Sequence, residues 1–376
     1  MWSKRIDGSD ASATFPATPD LVIVFGPTSR MTDQPLIEQL TSRCGNAIVI
    51  GCSSGTMVDG DGLDDDAVVA LGVGFERTRL TLAVQPLPSA DTSFAAGLAI
   101  GKELADDSLS AIFVLSNGLN VNGSALVAGI RSGAGDSVAL SGGLAGDGAR
   151  FGDTRILAGG DCLTNAVAAI GFYGTHVRLA HGSAGEWQPF GPVRTISAAD
   201  GAELRRLDDE PALALYERYV GEEAADLPAS GLLYPLEIWD PAKPDDRVVR
   251  TLLAIDRDHG TLTFAGDMPQ GWKARLMRGI FDELIDGAST AAQHAIDRTA
   301  SWGVAPSACL AISCVGRRLL MGQRTDEEIA AVSAVLGSDI ALAGFYSYGE
   351  IAPQNATGVP CLHNQTMTIT LIGECA

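Results

Sequence analysis

Short apolar runs, each cut off by glycine or a polar turn, recur along this chain and alternate with stretches whose apolar residues fall at helical spacing. Leu21–Phe25 stops at Gly26-Pro27 and Ala47–Ile50 stops at Gly51. Ala111–Leu115, Val138–Ser141, Ala308–Ser313 and Ala341–Phe345 are of the same kind, with a last run at Thr366–Ile372. Runs of this length are strand-sized. Helical spacing predicts helices near 32–43, 92–106, 121–131, 280–300 and 325–336. The clearest has a stripe of Phe281, Leu284, Ile285, Ala288, Ala291, Ala292 and Ala295. Gly74-Phe-Glu-Arg77, Gly159-Gly-Asp161, Gly174 and Asp256–Gly260 add hairpin signals. Hairpins mixed with helices exclude a purely parallel doubly wound sheet and predict mixed sheets covered by helices, an α/β chain of the mixed α+β kind.

Hairpin, helix, strand, helix, strand and a hairpin-like end follow in that order twice, without a residue-level repeat. The expectation is two similar halves, stacked or pseudo-symmetric, in a chain of 376 residues, long enough for more than one core. Residues 1–19 read as a flexible tail, 20–185 as the first domain and 246–376 as the second. Between them, 186–245 reads as a Pro-rich junction carrying Pro189, Pro192, Pro211, Pro228, Pro235, Pro241 and Pro244.

Charge narrows the function. The chain has 46 acidic and 26 basic residues and a formal net charge of −20. That opposes sequence-independent nucleic-acid binding and docking on anionic membranes. No apolar run approaches the ~18 residues of a membrane helix, and no apolar stretch follows Lys4-Arg5 to make a secretory signal. The 7 cysteines are scattered without a CxxC, which predicts reduced thiols and a cytoplasmic protein.

Several segments carry candidate chemistry. Gly51-Cys-Ser-Ser-Gly55 has nucleophile-elbow spacing, but an acidic, non-helical stretch follows, so Ser53 as a hydrolase nucleophile is set against a plain strand-end turn. Gly142-Gly-Leu-Ala-Gly-Asp-Gly148 lacks phosphate-loop spacing and reads as a pocket wall or as a loop of permissive glycines. Cys314, followed by Arg317 and Arg318, is either a thiolate of lowered pKa or a core cysteine. Arg317 calls for a carboxylate, either Glu350 or a ligand's. Gly344-Phe-Tyr-Ser-Tyr-Gly-Glu350 supplies aromatics and one acid, as small-molecule pockets do. His363, His181 and His176 are open candidates for an axial ligand of haem b; covalent haem is excluded because there is no CxxCH.

Taken in order, Ile50–Gly55, Gly142–Asp147 with Phe151, Trp187–Pro192, Ser313–Arg317, Glu327-Glu328, Gly344–Ile351 and His363–Thr366 resemble the FIST family over about residues 20–373. The resemblance implies a bacterial signal-transduction sensor with a FIST N-terminal and a FIST C-terminal domain, and no enzymatic activity. It implies a small-molecule ligand, amino acids among those proposed, with haem-based nitric-oxide sensing in some members. Partners of the family are histidine kinases, diguanylate cyclases and chemotaxis proteins. Transferred to this chain, the expected ligand-binding residues are Ser53, Gly142, Gly143, Gly146, Asp147, Cys314, Arg317, Tyr346, Glu350 and Asn364, with His363 on the metal if haem is bound. Arg317 and Glu350 together would clamp the carboxylate and amine of an amino acid. A serine or cysteine hydrolase using Ser53 or Cys314 is the further alternative.

Overall fold

Leu21–Gly26 is buried at all six positions. An uninterrupted apolar strand needs cover on both faces, and the arrangement of sheets supplies it. The computed structural model describes all of the chain except residues 9, 11, 355, 356 and 376. Three six-stranded sheets share one plan. Each is built mainly from one sequence unit; in the first unit, β1 (Trp2–Asp7), β2 (Leu21–Gly26), β3 (Ile48–Ser53), a hairpin of β4 (Met57–Asp59) and β5 (Gly62–Asp64), and β6 (Val69–Gly74) follow in order. The second unit repeats this with β7 (Arg79–Pro86), β8 (Leu109–Ser116), β9 (Ala139–Leu144), β10 (Ile156–Ala158), β11 (Asp161–Leu163) and β12 (Ala166–Tyr173). The third has β13 (Val177–Ala184), β14 (Ala308–Cys314), β15 (Ala341–Ser347), β16 (Gly349–Pro353), β17 (Pro360–His363) and β18 (Met367–Glu374).

In each unit the second and third strands run parallel, and every other pairing is antiparallel. Each hairpin leaves its own unit and joins a neighbour's third strand. β4 pairs with β15, β10 with β3, and β16 with β9, which closes a cycle. One position is glycine in all three copies. Gly51 lies beside Val24 and faces Leu157; Gly142 lies beside Val114 and faces Ile351; Gly344 lies beside Ala311 and faces Val58. A Cβ there would stand 2.2, 1.8 and 1.7 Å from the carbonyl oxygen of the parallel neighbour, so no side chain is admitted. The mixed α/β class and mixed sheets are as expected; the repeating unit is smaller than a half-chain, because three copies, not two, share the register.

The inner faces of all three sheets meet in one core that includes Ile23, Phe25, Ile50, Phe113, Ile170, Leu310, Ile312 and Phe345. Helices cover the outer faces. α1 (Gln34–Ser42) lays Ile37 and Leu40 on Val22, Val24 and Val49. α2 (Ser93–Leu104) and α3 (Gly123–Ala134) cover Ile112, Val114 and Leu140. α4 (Phe281–Asp297) and α5 (Thr325–Leu336) cover Cys309, Ala311 and Leu371.

Two segments differ from the sequence reading. Within the expected tail, of which residues 9 and 11 lie outside the described residues, Trp2–Asp7 forms β1 and pairs with β6 over six positions. The edge of the first sheet recruits it; the segment has no strong apolar pattern of its own. The Pro-rich segment 186–245 is not a bare connection. With residues 246–278 it builds a nine-stranded sheet running from Gln188 to Arg278, inserted between β13 and α4. That sheet packs on the helix Ala212–Val220 around its own core of Ile196, Leu204, Leu215, Tyr216, Ile238 and Phe264. Proline is tolerated here at the ends of two-residue strands (Pro189, Pro211) and in connections.

Candidate functional site

In α/β sheets, ligands sit outside the carboxyl ends of the parallel strands. Here the three exits meet. The Gly146 amide donates to the Ser53 carbonyl (2.9 Å), the Tyr348 amide to the Leu144 carbonyl (3.1 Å) and the Tyr346 amide to the Thr56 carbonyl (3.0 Å). The Ser54 hydroxyl adds a bond to the Tyr346 carbonyl (2.8 Å).

Two cavities flank this junction. One, of about 820 Å³, lies where all three units meet, bordered by Thr28, Asp65, Asp147, Arg150, Arg318 and Tyr346. The other, of about 540 Å³, lies between the core and the inserted sheet. Its core wall includes Leu144, Cys314, Tyr348 and Asn364; Leu253 and Phe264 belong to the insert. A smaller space of about 330 Å³ runs beside Trp187 and His363.

The 147–153 loop separates the two larger cavities. The Tyr348 hydroxyl donates to the Asp147 carboxylate and accepts from the Phe151 amide (3.2 Å). The Phe151 ring stacks on Tyr348 with centroids 4.6 Å apart. Burial opposes the charge on Asp147, yet bonds from Tyr348, the Asp153 amide and the Gly152 amide outweigh it and hold its carboxyl below the usual range.

The expected site residues divide between cavity walls and buried structure. Asp147 and Tyr346 border the 820 Å³ cavity; Cys314 and Asn364 border the 540 Å³ one. Ser53 borders neither. It is fully buried, and its hydroxyl donates to the Gly146 carbonyl (2.9 Å) and accepts from the Arg155 amide (2.9 Å). A serine so committed offers no nucleophile. Gly142 and Gly143 are strand residues at a tight sheet contact, and Gly146 is the backbone link to Ser53.

Cys314 is no thiolate. Burial pushes its pKa well up, Glu350 adds to the rise, and the nearby Arg317 offsets little of it. The amino-acid clamp also fails on geometry. Arg317 is fully buried and donates to Glu328 (3.2 Å), the Gly185 carbonyl (3.2 Å) and the Leu284 carbonyl (2.6 Å). Its ion-pair partner is Glu328, on α5, one turn into a helix whose approach the sequence does not reveal. Glu350 is also fully buried, accepting from the Ser347 hydroxyl (2.6 Å) and the Thr366 hydroxyl (3.0 Å). Burial raises its carboxyl to about 8.

The histidines do not fit haem. His363 meets the Ala352 carbonyl through Nε2 (3.1 Å), and burial pushes its pKa down to about 4. The space beside it is small, and its rim carries Glu237, Asp245 and Asp246 together with Arg247, whose guanidinium is already paired with Glu237 (3.1 Å). His181 is buried under α4 with Nδ1 3.2 Å from the Thr370 hydroxyl, and borders none of these three cavities. His176 lies in the turn before β13, half-buried. Among the described residues no group of three or more His, Cys, Asp or Glu could hold a metal ion.

Sequence reasoning missed Thr251. It sits in an ordinary strand-like run, and only the insertion carries it to the cavity. Tyr348 stood inside a quoted motif, but the loop it anchors lies two hundred residues away in the chain, beyond reach of local pattern.

Fold and cavities together define an α/β protein of two bodies, a three-unit core and an inserted sheet, with a partly open space walled by both. Residues 20–210 match the FIST N domain and residues 212–353 the FIST C domain, and the chain belongs to the FIST family. FIST domains are associated with the sensing of small ligands in signal transduction. Among curated relatives, the uncharacterized Mycobacterium tuberculosis protein Rv0628c is 29% identical over 237 residues, 61% of this chain and 60% of its own. The uncharacterized Mycobacterium bovis protein Mb0898c is 29% identical over 244 residues, 62% of this chain and 60% of its own. The chain thus spans about three fifths of the length of these relatives. A solved structure, cyanuric acid hydrolase from A. caulinodans, aligns with 100% of this chain and 99% of its own at 9% identity and a TM-score of 0.35, too distant to carry an argument. Among the described residues no helix is long and apolar enough to cross a membrane.

Proposed function

We propose that this chain is a cytoplasmic sensory module that takes a small molecule into the 540 Å³ cavity between core and inserted sheet, releases it unchanged, and signals to a separate protein. A histidine kinase, a diguanylate cyclase or a chemotaxis protein is the partner class. One observation carries the reading. The cavity has largely apolar walls, yet two residues that line it, Asn364 and Thr251, each carry a buried polar atom, Oδ1 and Oγ1, with no hydrogen-bond partner among the described residues. Leaving such groups unpaired costs about 1–3 kcal/mol each, so a ligand that bonds to them gains what the protein alone forgoes.

The wall spans two bodies that touch through few polar links. Asn122 donates to Asp267 (2.9 Å), Arg250 to the Leu362 carbonyl (3.0 Å), Gln365 to the Leu232 carbonyl (3.3 Å) and Gln188 to Glu283 (2.6 Å). A ligand bound to both walls favours one relative placement of the bodies over others, and differential affinity of that kind is what a signal requires. The committed Ser53 hydroxyl and the neutral Cys314 thiol support binding without turnover.

Native mass spectrometry of protein purified from a cell extract tests the reading. A non-covalent adduct of small mass is expected in the wild type and absent in Leu253→Trp, which crowds the rim from a half-exposed position. An adduct retained at full occupancy in that variant would place the ligand elsewhere.

A further inference from the structure

Resting on that assignment of the site, we infer that the ligand is a ring-bearing amine or amide without a free carboxylate or phosphate, held through its own N–H groups. The wall chemistry is asymmetric. No Lys, Arg or His among the described residues lines the cavity, whereas Asp91 and Asp200 do. An anion entering it would leave water without a cationic side chain on the walls to receive it; the carboxylates present, Asp91 and the Arg205-paired Asp200, stand exposed at the rim. The guanidinium of Arg250 stands behind Gly266 and donates to the carbonyls of Leu362, Val249 and Asp267.

Both orphan atoms can accept a hydrogen bond, and the Thr251 hydroxyl can also donate one. Asn364 Oδ1 is an acceptor only, on a residue 1% exposed, so what satisfies it must donate. Thr251, 5% exposed, adds a hydroxyl that can accept a second donor. Asn122 also borders the space, but its side chain is spent on the Ala125 amide (3.0 Å) and on Asp267. The remaining walls suit a flat apolar body. Phe151 is 45% exposed with its ring stacked on Tyr348, and Leu144, Phe264 and Leu362 close the space. An amphipathic ring with donors on one edge satisfies both halves of this wall at once.

The inference revises the expectation of a free amino acid. A zwitterion brings a carboxylate, and the one arginine expected to receive it, Arg317, is consumed inside the protein.

The test is a thermal-shift and calorimetric screen of the full chain against matched fragments: tryptamine, indole-3-propionamide and indole-3-propionate, with benzamide and benzoate as a smaller pair. The amine and the amides are expected to bind at least about tenfold more tightly than the carboxylates. Asn364→Leu, which removes an oxygen with no hydrogen-bond partner among the described residues, is expected to keep the melting temperature of the free protein and weaken amide binding about tenfold. Tighter binding of indole-3-propionate or benzoate, lost in Leu253→Trp, would overturn the ligand class and leave the site standing. Amide binding unchanged in Asn364→Leu would also overturn the class. If no fragment binds the wild type, both the class and the site reading fail.

Discussion

A buried charge needs either a partner or a proton, and the two charged residues of the expected clamp follow different routes. Arg317 has a partner: Glu328, with both side chains inaccessible to solvent. Removing one member of such a pair strands the other. Arg317→Ala is therefore expected to cost about 3–5 kcal/mol of stability, read by urea unfolding; a loss of ligand affinity at unchanged stability would contradict the structural role. Glu350 has a proton instead. Below pH 4.5 it is protonated in folded and unfolded chains alike. Between 4.5 and about 8 the folded chain keeps a proton that the unfolded chain has lost. Wild-type stability therefore falls across that window as pH rises, at up to about 1.4 kcal/mol per pH unit for this one group. Glu350→Gln is expected to abolish this dependence, so the variant gains on the wild type from pH 5 to pH 8. Parallel stability profiles would sink the assignment. The sequence marked both residues as unusual, and it was right that they are not ordinary surface charges. It offered Glu350 or a ligand as the carboxylate for Arg317, and that pairing was wrong, because the true partner, Glu328, reaches Arg317 only through the packing of α5 on the third sheet.

At the scale of elements, the parallel strand pair with its departing hairpin is the repeating piece. Its signature in the sequence is slight. Gly51, Gly142 and Gly344 share a register, while their neighbours Cys52, Gly143 and Phe345 share nothing. What is preserved is a steric condition, the approach of a carbonyl to within about 2 Å of where a Cβ would be. Alanine at each of the three positions is expected to destabilise by about 2–4 kcal/mol. At Gly142, with φ of +147°, strain adds to the clash. Gly62→Ala, where a Cβ meets nothing within 4 Å, is the control and should change the melting temperature little. A tolerated alanine at any of the three would break the equivalence of the units. Strand and helix identities were legible because both sheet faces are covered and the runs are strongly apolar. The count of three was not, since the hairpins cross between units and the long insertion splits the third.

For the whole molecule, the insertion matters most. Proline-rich sequence between two folded regions reads naturally as a connection. The residues 188–278 instead contribute a second body and one wall of the cavity. Local pattern says which residues are apolar; it does not say that Thr251 and Asn364, 113 positions apart, border one space. The account therefore turns on whether a ligand touches both bodies together. Hydrogen–deuterium exchange of the full chain, with and without saturating indole-3-propionamide, measures this directly. Protection is expected at once in 118–123 on the core and in 251–266 on the insert. Protection confined to one body, or centred on Asp65 and Arg318 beside the other cavity, would contradict it.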